Sequence, residues 1–329
     1  MGKFYRRLLG LTLLVAVISG GVIYSTVDVE TLGSLTKFRS WSLALALIAV
    51  ALGMFFDGSR LMHLVRVAGE RISLYEAVQV IFGNYFLAML TPGATGGAVA
   101  QLIFLRHAGV PTGKAAVLVI VRTFLSIFFL ACCMPFIFFH DKGLIPGLSN
   151  TVLMAITAGA FLAVVLLFWA AKRGILDLLT LRLTKNFPHE RRRKVFSFYR
   201  DTKKAARLLF HAPRTMLLVF FESGLNLLCI YAIVPCLLLG LGVTEADWCT
   251  VMGRMICLNM LLYFTPTPGG SGVAEGGFVF LFDELAPLGT VGILAVCWRL
   301  IAEYLPFVIG FYYTVTVFGR DFLNRQLGK

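Results

Sequence analysis

An all-α, polytopic integral membrane bundle is the fold class that the sequence predicts, and three observations carry it. Of the 329 residues, 58% are apolar, only 14% are charged and the mean hydropathy is +0.84. Soluble domains are nearer half apolar and one-quarter charged, so a soluble globular fold is excluded. Six stretches with few or no charges are long enough, or nearly so, to cross a hydrocarbon core of about 30 Å. Two further apolar stretches are each broken near the middle by a Pro/Gly cluster. The expectation is a single transmembrane domain, residues 1–329, with six full spans and two broken, re-entrant helical hairpins.

Taken in order, Lys3, Arg6 and Arg7 precede an apolar run, Leu8–Val27. A cleavable signal peptide begins in the same way, and Ser19, Gly20 and Gly21 would suit its cleavage site. The run continues past them to Val27, so a retained first span is expected. Ser40–Phe56 is the second span, ending where Asp57 opens a charged segment, 57–73. Leu74–His107 is the first broken stretch, and 115–139 is a span with one charge, Arg122. Ser149–Ala171 is uncharged. Thr215–Leu239 carries only Glu222, 249–286 is the second broken stretch, and 290–317 carries only Arg299 and Glu303. All seven cysteines fall in apolar stretches without a CxxC pair or a histidine at ligand spacing, so no disulfide framework, zinc site or other cofactor is expected.

The net charge of +13 would suggest a nucleic-acid partner on a soluble chain. Its distribution gives an orientation instead. With the N-terminus in the cytoplasm and the spans alternating, every loop assigned inside is net positive, and residues 172–214 alone hold 13 Lys and Arg against three acids. The loops assigned outside are neutral or acidic. That satisfies the positive-inside rule and puts both termini in the cytoplasm of a cell (inner) membrane. Within 172–214, Val195, Phe198, Tyr199, Ala205, Ala206 and Leu209 form an approximate helical stripe, suited to an amphipathic helix on an anionic leaflet. A plain topology determinant is the simpler alternative, and no nucleic-acid partner is expected.

The two broken stretches resemble each other. The first runs from Asn84 to Thr91-Pro92-Gly93-Ala94-Thr95-Gly96-Gly97. The second runs from Asn259 to Thr267-Pro268-Gly269-Gly270-Ser271-Gly272. In each, an intramembrane arginine follows, Arg122 or Arg299. The assigned sidedness makes the first enter from inside and the second from outside, which is an inverted-topology repeat. Paired Gly/Pro-interrupted segments in two halves point to a transporter site near the bilayer midplane. A helix broken in the membrane exposes N–H groups and the positive end of its dipole, which attract an anion. Gly96, Gly97, Gly269, Gly270 and Gly272 would let backbone approach a head group, and Thr95 and Ser271 would cap or donate to phosphate oxygens. Unliganded helix breaks packed on their neighbours are the alternative.

Arg122 and Arg299 stand at matching positions, and two guanidinium groups on a shared axis would clamp a phosphodiester. For Arg299 an internal ion pair is an equal reading, because Glu303 lies at i+4 and Glu275 just past the second glycine cluster. Arg122 has no acid on its own span, which favours a ligand. Glu222 with Asn226, again i and i+4, and Arg254 would form a polar seam. Glu222, Glu275 and Glu303 are also candidates for proton coupling.

Pro266-Thr-Pro-Gly-Gly-Ser-Gly-Val-Ala-Glu275, followed by Arg299, Pro306 and Gly310, resembles the signature of the flippase-like, or lysylphosphatidylglycerol-synthase transmembrane-region, family. Thr91-Pro-Gly-Ala-Thr-Gly-Gly97 with Arg122 looks like its first motif. Relatives would carry an acidic residue and an arginine after the first glycine pair, where this sequence has Ala98 and Gln101. The resemblance covers Leu8 to Val317 and implies two re-entrant hairpins and the handling of a polar-headed lipid. Larger relatives join this region to a soluble domain that aminoacylates phosphatidylglycerol. This chain ends twelve residues after Val317, so aminoacylation by it alone is not expected.

The expected function is therefore a lipid translocase that binds the phosphate of an anionic phospholipid or polyprenyl-phosphate-linked lipid at a midplane cavity. No nucleotide-binding motif is present. The rivals are a membrane-embedded transferase acting on such a lipid, and a subunit that presents lipid to a separate enzyme. The five histidines fall in assigned loops or at their edges, and no catalytic constellation is evident in the core, so no catalytic residue is assigned.

Overall fold

The structure is a computed structural model, and it describes residues 38–141 and 212–326 together with isolated positions between 152 and 200. The expected spans Leu8–Val27 and Ser149–Ala171, nearly all of the basic loop 172–214 and the chain's first residues lie outside the described part. The described residues form helices α1 (Ser40–Val67), α2 (Leu74–Leu90), α3 (Thr95–His107), α4 (Thr112–His140), α5 (Pro213–Tyr231) and α6 (Ile233–Gly240). They continue as α7 (Trp248–Tyr263), α8 (Val273–Phe282), α9 (Val291–Arg299) and α10 (Leu305–Gln326). A π-helical stretch, Leu300–Tyr304, joins α9 to α10. Pro306 has no N–H to donate to Ala302, which accounts for the widened turn there.

Among the described residues, four helical segments are long and apolar enough to cross a membrane: Ser40–Val67, Thr112–His140, Pro213–Gly240 and Val291–Val317. They coincide with four of the six expected full spans. Their outward faces are apolar, with Ile48 and Phe55 of α1, Phe136 of α4 and Phe221 of α5 all exposed. An apolar outer surface around a core that holds charges is the pattern expected where lipid is the solvent.

α1 runs eleven residues beyond the expected end of its span at Phe56, because Asp57 and Arg60 are buried helical residues rather than loop residues. Their charges cancel, so the positive excess of the loops expected inside is unchanged. Glu76 completes a capping box at the start of α2. Its carboxylate accepts the Ser73 N–H at 2.7 Å and the Ser73 hydroxyl accepts the Glu76 N–H at 3.2 Å.

Among the described residues the apolar core has a small part, Phe86 and Leu90 packed with Leu87 and Phe307, and two large ones. One joins the early turns of α1, the end of α4, and α6 to α9 around Leu130, Leu237, Leu258, Phe278 and Trp298. The other joins the late turns of α1, α2, α3, the beginning of α4 and α5 around Leu61, Ile81, Phe104 and Leu118. On α1 the first part ends at Val50 and the second begins at Leu61. On α4 the second ends at Leu125 and the first resumes at Leu130. Asp57, Arg60 and Ser126 fall between these limits, and Arg122 lies just before Leu125, one turn above Ser126 on α4. On α5, Glu222, Ser223 and Asn226 fall between Val219 and Tyr231 in the same way. A polar layer therefore lies between two apolar halves.

Both broken stretches are helical hairpins. α2 and α3 pack along each other, and Glu70 and Lys114, which flank the hairpin, form an ion pair at 2.6 Å. The chain thus returns to the end from which it entered. At 17 and 13 residues, α2 and α3 are about 26 Å and 20 Å long, short of a 30 Å core. α7 and α8 form the second hairpin, where Arg254 donates to the Leu281 carbonyl at 2.5 Å. His140 and Asp247, from two segments assigned to one face, lie 2.6 Å apart.

Candidate functional site

The two hairpin tips meet. Pro92 and Pro268 form an isolated antiparallel backbone bridge. Around it the contacts are reciprocal: Gly93 faces the Thr265 carbonyl, and Gly269 faces Met89, its counterpart across the bridge. The turns need left-handed backbone, with φ of 61° at Gly93, 59° at Gly269, 67° at Gly270 and 85° at Gly272, conformations that glycine adopts without strain.

The predicted tip residues divide into two groups. Gly96 and Gly97 are turned against α2, where an added Cβ would lie 2.5 Å from the Leu87 carbonyl oxygen and 2.5 Å from the Asn84 side chain respectively. Their backbone closes the hairpin, and the Gly96 N–H donates to the Thr91 hydroxyl at 2.7 Å. Gly270 packs on Leu262, while Gly272 is exposed with nothing within 4 Å of its Cβ position. Thr95 is exposed and its hydroxyl donates to the Pro92 carbonyl at 3.1 Å. Ser271 is buried and donates to the Pro268 carbonyl at 2.9 Å. Near the tips, Gln101 Oε1 and Thr267 Oγ1 are buried without a hydrogen-bond partner.

Arg299 is 1% exposed and fully engaged. Its Nε donates to Glu275 at 3.0 Å, both terminal nitrogens reach the Gly269 carbonyl at 3.0 Å, and it pairs with Glu303. Glu275 also accepts the Gly272 N–H at 2.7 Å. Arg299, Glu275 and Glu303 thus hold the second glycine turn in place, and the internal pairing is the one that the structure shows for Arg299. Glu275→Ala removes acceptors for Gly272 and Arg299 and should lower stability by about 1.5–3 kcal/mol. Glu275→Gln, which keeps an acceptor for Gly272, should cost less, and thermal unfolding in detergent would order the two.

Arg122 has an acidic partner after all, supplied by α1. Asp57 Oδ1 accepts from Arg122 Nε at 3.3 Å and from Arg60 Nε at 2.5 Å, and its Oδ2 pairs with the Arg122 terminal nitrogen. Arg60 also donates to Ser126 at 2.8 Å. Asp57, Arg60 and Arg122 are only 2–5% exposed. Two guanidinium groups against one carboxylate leave this cluster with an excess of one positive charge, while Glu222, elsewhere in the polar layer, is held by Ser59 and His63. The hydroxyls of Tyr85 on α2 and Tyr263 at the end of α7 lie within Coulombic reach of all three charges. Arg122 and Arg299 share no partner, so they form two networks rather than one clamp.

The expected seam of Glu222, Asn226 and Arg254 is not formed. Glu222 accepts from Ser59 at 2.6 Å and lies 3.0 Å from His63 Nδ1, a histidine inside α1 rather than in a loop. Asn226 donates to the Gly53 carbonyl at 2.7 Å, and Arg254 pairs with Asp141 at 2.9 Å. A pocket of about 350 Å³ lies elsewhere, at the α1–α2 connection, lined by Met62, Arg66, Glu70, Arg71 and Ile72.

Comparison with known proteins agrees with the helical, apolar architecture. The family described as the lysylphosphatidylglycerol synthase TM region matches residues 8–310. A UPF0104 membrane protein of Archaeoglobus fulgidus is 22% identical over 326 residues, covering 96% of each chain. A match over most of the length, on a chain whose apolar helices suit several membrane crossings, shows that this multi-pass membrane protein belongs to the lysylphosphatidylglycerol synthase transmembrane-region family.

Proposed function

We propose that the chain moves a lipid with a phosphate-bearing head group, an anionic phospholipid or a polyprenyl-phosphate-linked lipid, between the leaflets of the cell membrane. The observation that carries this reading is the buried excess of positive charge at Arg60 and Arg122. A charge at the bilayer centre costs about 2.5–3.5 kcal/mol on insertion scales, so an uncompensated one calls for an anionic partner. A phosphodiester between the two guanidinium groups supplies it, with Tyr85 and Tyr263 as hydroxyl donors. Arg299, with Glu275 and Glu303, acts in this reading as the support of the second hairpin tip. The exposed Thr95 and Gly272 are the tip positions from which a head group would be reached.

The hairpins are read as re-entrant, one from each face, and the reciprocal contacts about the Pro92–Pro268 bridge support an inverted repeat. Rocking one repeat against the other at this junction would expose the site to each leaflet in turn. The cytoplasmic face is the one that carries the basic loop 172–214, and the pocket beside Arg66 and Arg71 would stand at that entrance. Glu222 with His63 is the pair suited to hold an exchangeable proton if transport is coupled to a gradient.

The test is reconstitution in liposomes carrying leaflet-specific labelled lipids, with and without a pH gradient. Arg122→Gln leaves Asp57 and Arg60 as a neutral pair, so the fold should persist while exchange of the phosphate lipid slows at least about tenfold. Exchange that is equally fast in the variant, or absent from the wild type under every gradient, overturns the reading. Formation of a modified lipid without exchange would favour a membrane-embedded transferase, and lipid delivery only to an added synthase would favour a presenting subunit.

A further inference from the structure

The helix ends opposite the Glu70–Lys114 pair bring together three side chains that the lipid reading does not use. His140 closes α4, Asp247 caps α7 and Cys249 lies in the first turn of α7. Their ligand atoms all fall within 4.8 Å of one another, although His140 and Asp247 are 107 residues apart in sequence. Local spacing in the sequence implies no zinc site, and the cluster forms only because the ends of α4 and α7 are neighbours. We propose that His140 Nε2, the Asp247 carboxylate and Cys249 Sγ form a binding site for a divalent transition-metal cation of the zinc type.

The donor set argues for that class of ion. Imidazole nitrogen, thiolate sulfur and carboxylate oxygen suit Zn²⁺, whereas Ca²⁺ and Mg²⁺ take oxygen ligands. Three protein ligands leave a fourth tetrahedral position open to water. The surrounding groups already orient the donors, as a metal site requires. The Asp247 carboxylate is fixed by the N–H groups of Cys249 at 3.2 Å and Thr250 at 3.1 Å and by the Thr250 hydroxyl at 2.7 Å. The His140 ring stacks on Phe136, with centroids 6.0 Å apart. All three residues are exposed, which gives an ion a path in from water.

A bound ion would tie the end of α4 to the beginning of α7, next to the Arg254–Asp141 ion pair that already joins Asp141, just past α4, to α7. Purified full-length protein in detergent, stripped of metal, should bind one equivalent of Zn²⁺ in a chelator-competition titration and melt at a higher temperature when loaded. Co²⁺ in its place should give a thiolate charge-transfer band that Cys249→Ser abolishes. His140→Ala and Asp247→Asn should each weaken Zn²⁺ binding by at least about tenfold. Asparagine also caps helices, so the metal-free Asp247→Asn protein should melt as the wild type does. The proposal fails if the wild type shows no saturable Zn²⁺ binding, or if Cys249→Ser leaves binding and the Co²⁺ spectrum unchanged.

Discussion

Asp57→Asn should be among the most damaging single substitutions in the polar layer, lowering stability by about 3–5 kcal/mol. The size follows from what remains: Arg60 and Arg122, each 5% exposed, would be buried side by side without the carboxylate that both touch. Removing one partner of a buried ion pair costs on that order, because the uncompensated charge stays behind. Arg122→Gln should cost much less, since Asp57 and Arg60 still neutralise each other. The double variant Asp57→Asn/Arg122→Gln should recover part of the loss, leaving a single cation where Asp57→Asn alone leaves two. This ordering is non-additive, as expected for side chains in one network, and is read from thermal unfolding of purified protein in detergent. Equal unfolding temperatures for Asp57→Asn and Arg122→Gln would show that the charges are not coupled in this way. The same series bears on the lipid. If a phosphate occupies the layer, added anionic lipid should raise the unfolding temperature of Asp57→Asn more than that of the wild type, because the variant offers two free cations to the anion.

The contrast between Asp57 and Arg299 shows what was legible in the sequence. The spans at α1, α4, α5–α6 and α9–α10 follow from runs of apolar residues, and the hairpin breaks follow from Pro and Gly, whose backbone constraints act locally. Glu303 and Glu275 were visible as partners of Arg299, one at helical spacing and one just past the glycine turn. A span that ends at its first charge leaves Asp57 outside, and Arg122, 65 residues away, then has no acid within its own helix to pair with. A helix that carries a neutral pair, Asp57 and Arg60 at i and i+3, can keep both inside the bundle, and that spacing was the missed signal. The start of α2 is legible too, because Ser73-Leu-Tyr-Glu76 is a capping-box pattern. The partners of Glu222, Asn226 and Arg254 lie on α1 and beside α4, and no periodicity within one helix encodes such a choice. The cluster of His140, Asp247 and Cys249 likewise depends on which helix ends are neighbours.

Gly310→Leu should disrupt the docking of α10 on α2, where the two backbones approach more closely than any side chain permits. A Cβ added at Gly310 would fall onto the Phe82 carbonyl oxygen, well inside contact distance, and 2.9 Å from Phe86 Cβ. The obstacle is backbone, so no rotamer change relieves it, and α10 must shift. The shift would pull apart the aromatic seam that flanks Gly310. Phe86 packs on Phe307 and Phe311 with ring centroids at 5.1 and 5.6 Å, and Tyr313 packs on Tyr75 at 5.8 Å. Overpacking costs about 1–3 kcal/mol where a core can adjust, and a leucine against fixed backbone belongs at or above the top of that range. Gly310→Ala should fall lower in the range. Gly113→Ala is the control, because nothing lies within 4 Å of its Cβ position and alanine favours the helix there by about 0.5–1 kcal/mol. Unfolding temperatures should therefore move in opposite directions for the same chemical change at Gly310 and Gly113. A neutral Gly310→Leu would mean that α10 is free to move away from α2. Because α10 continues from the stretch that holds Arg299 and Glu303, its displacement should also loosen the second glycine turn, read as faster hydrogen exchange at Gly270 and Gly272.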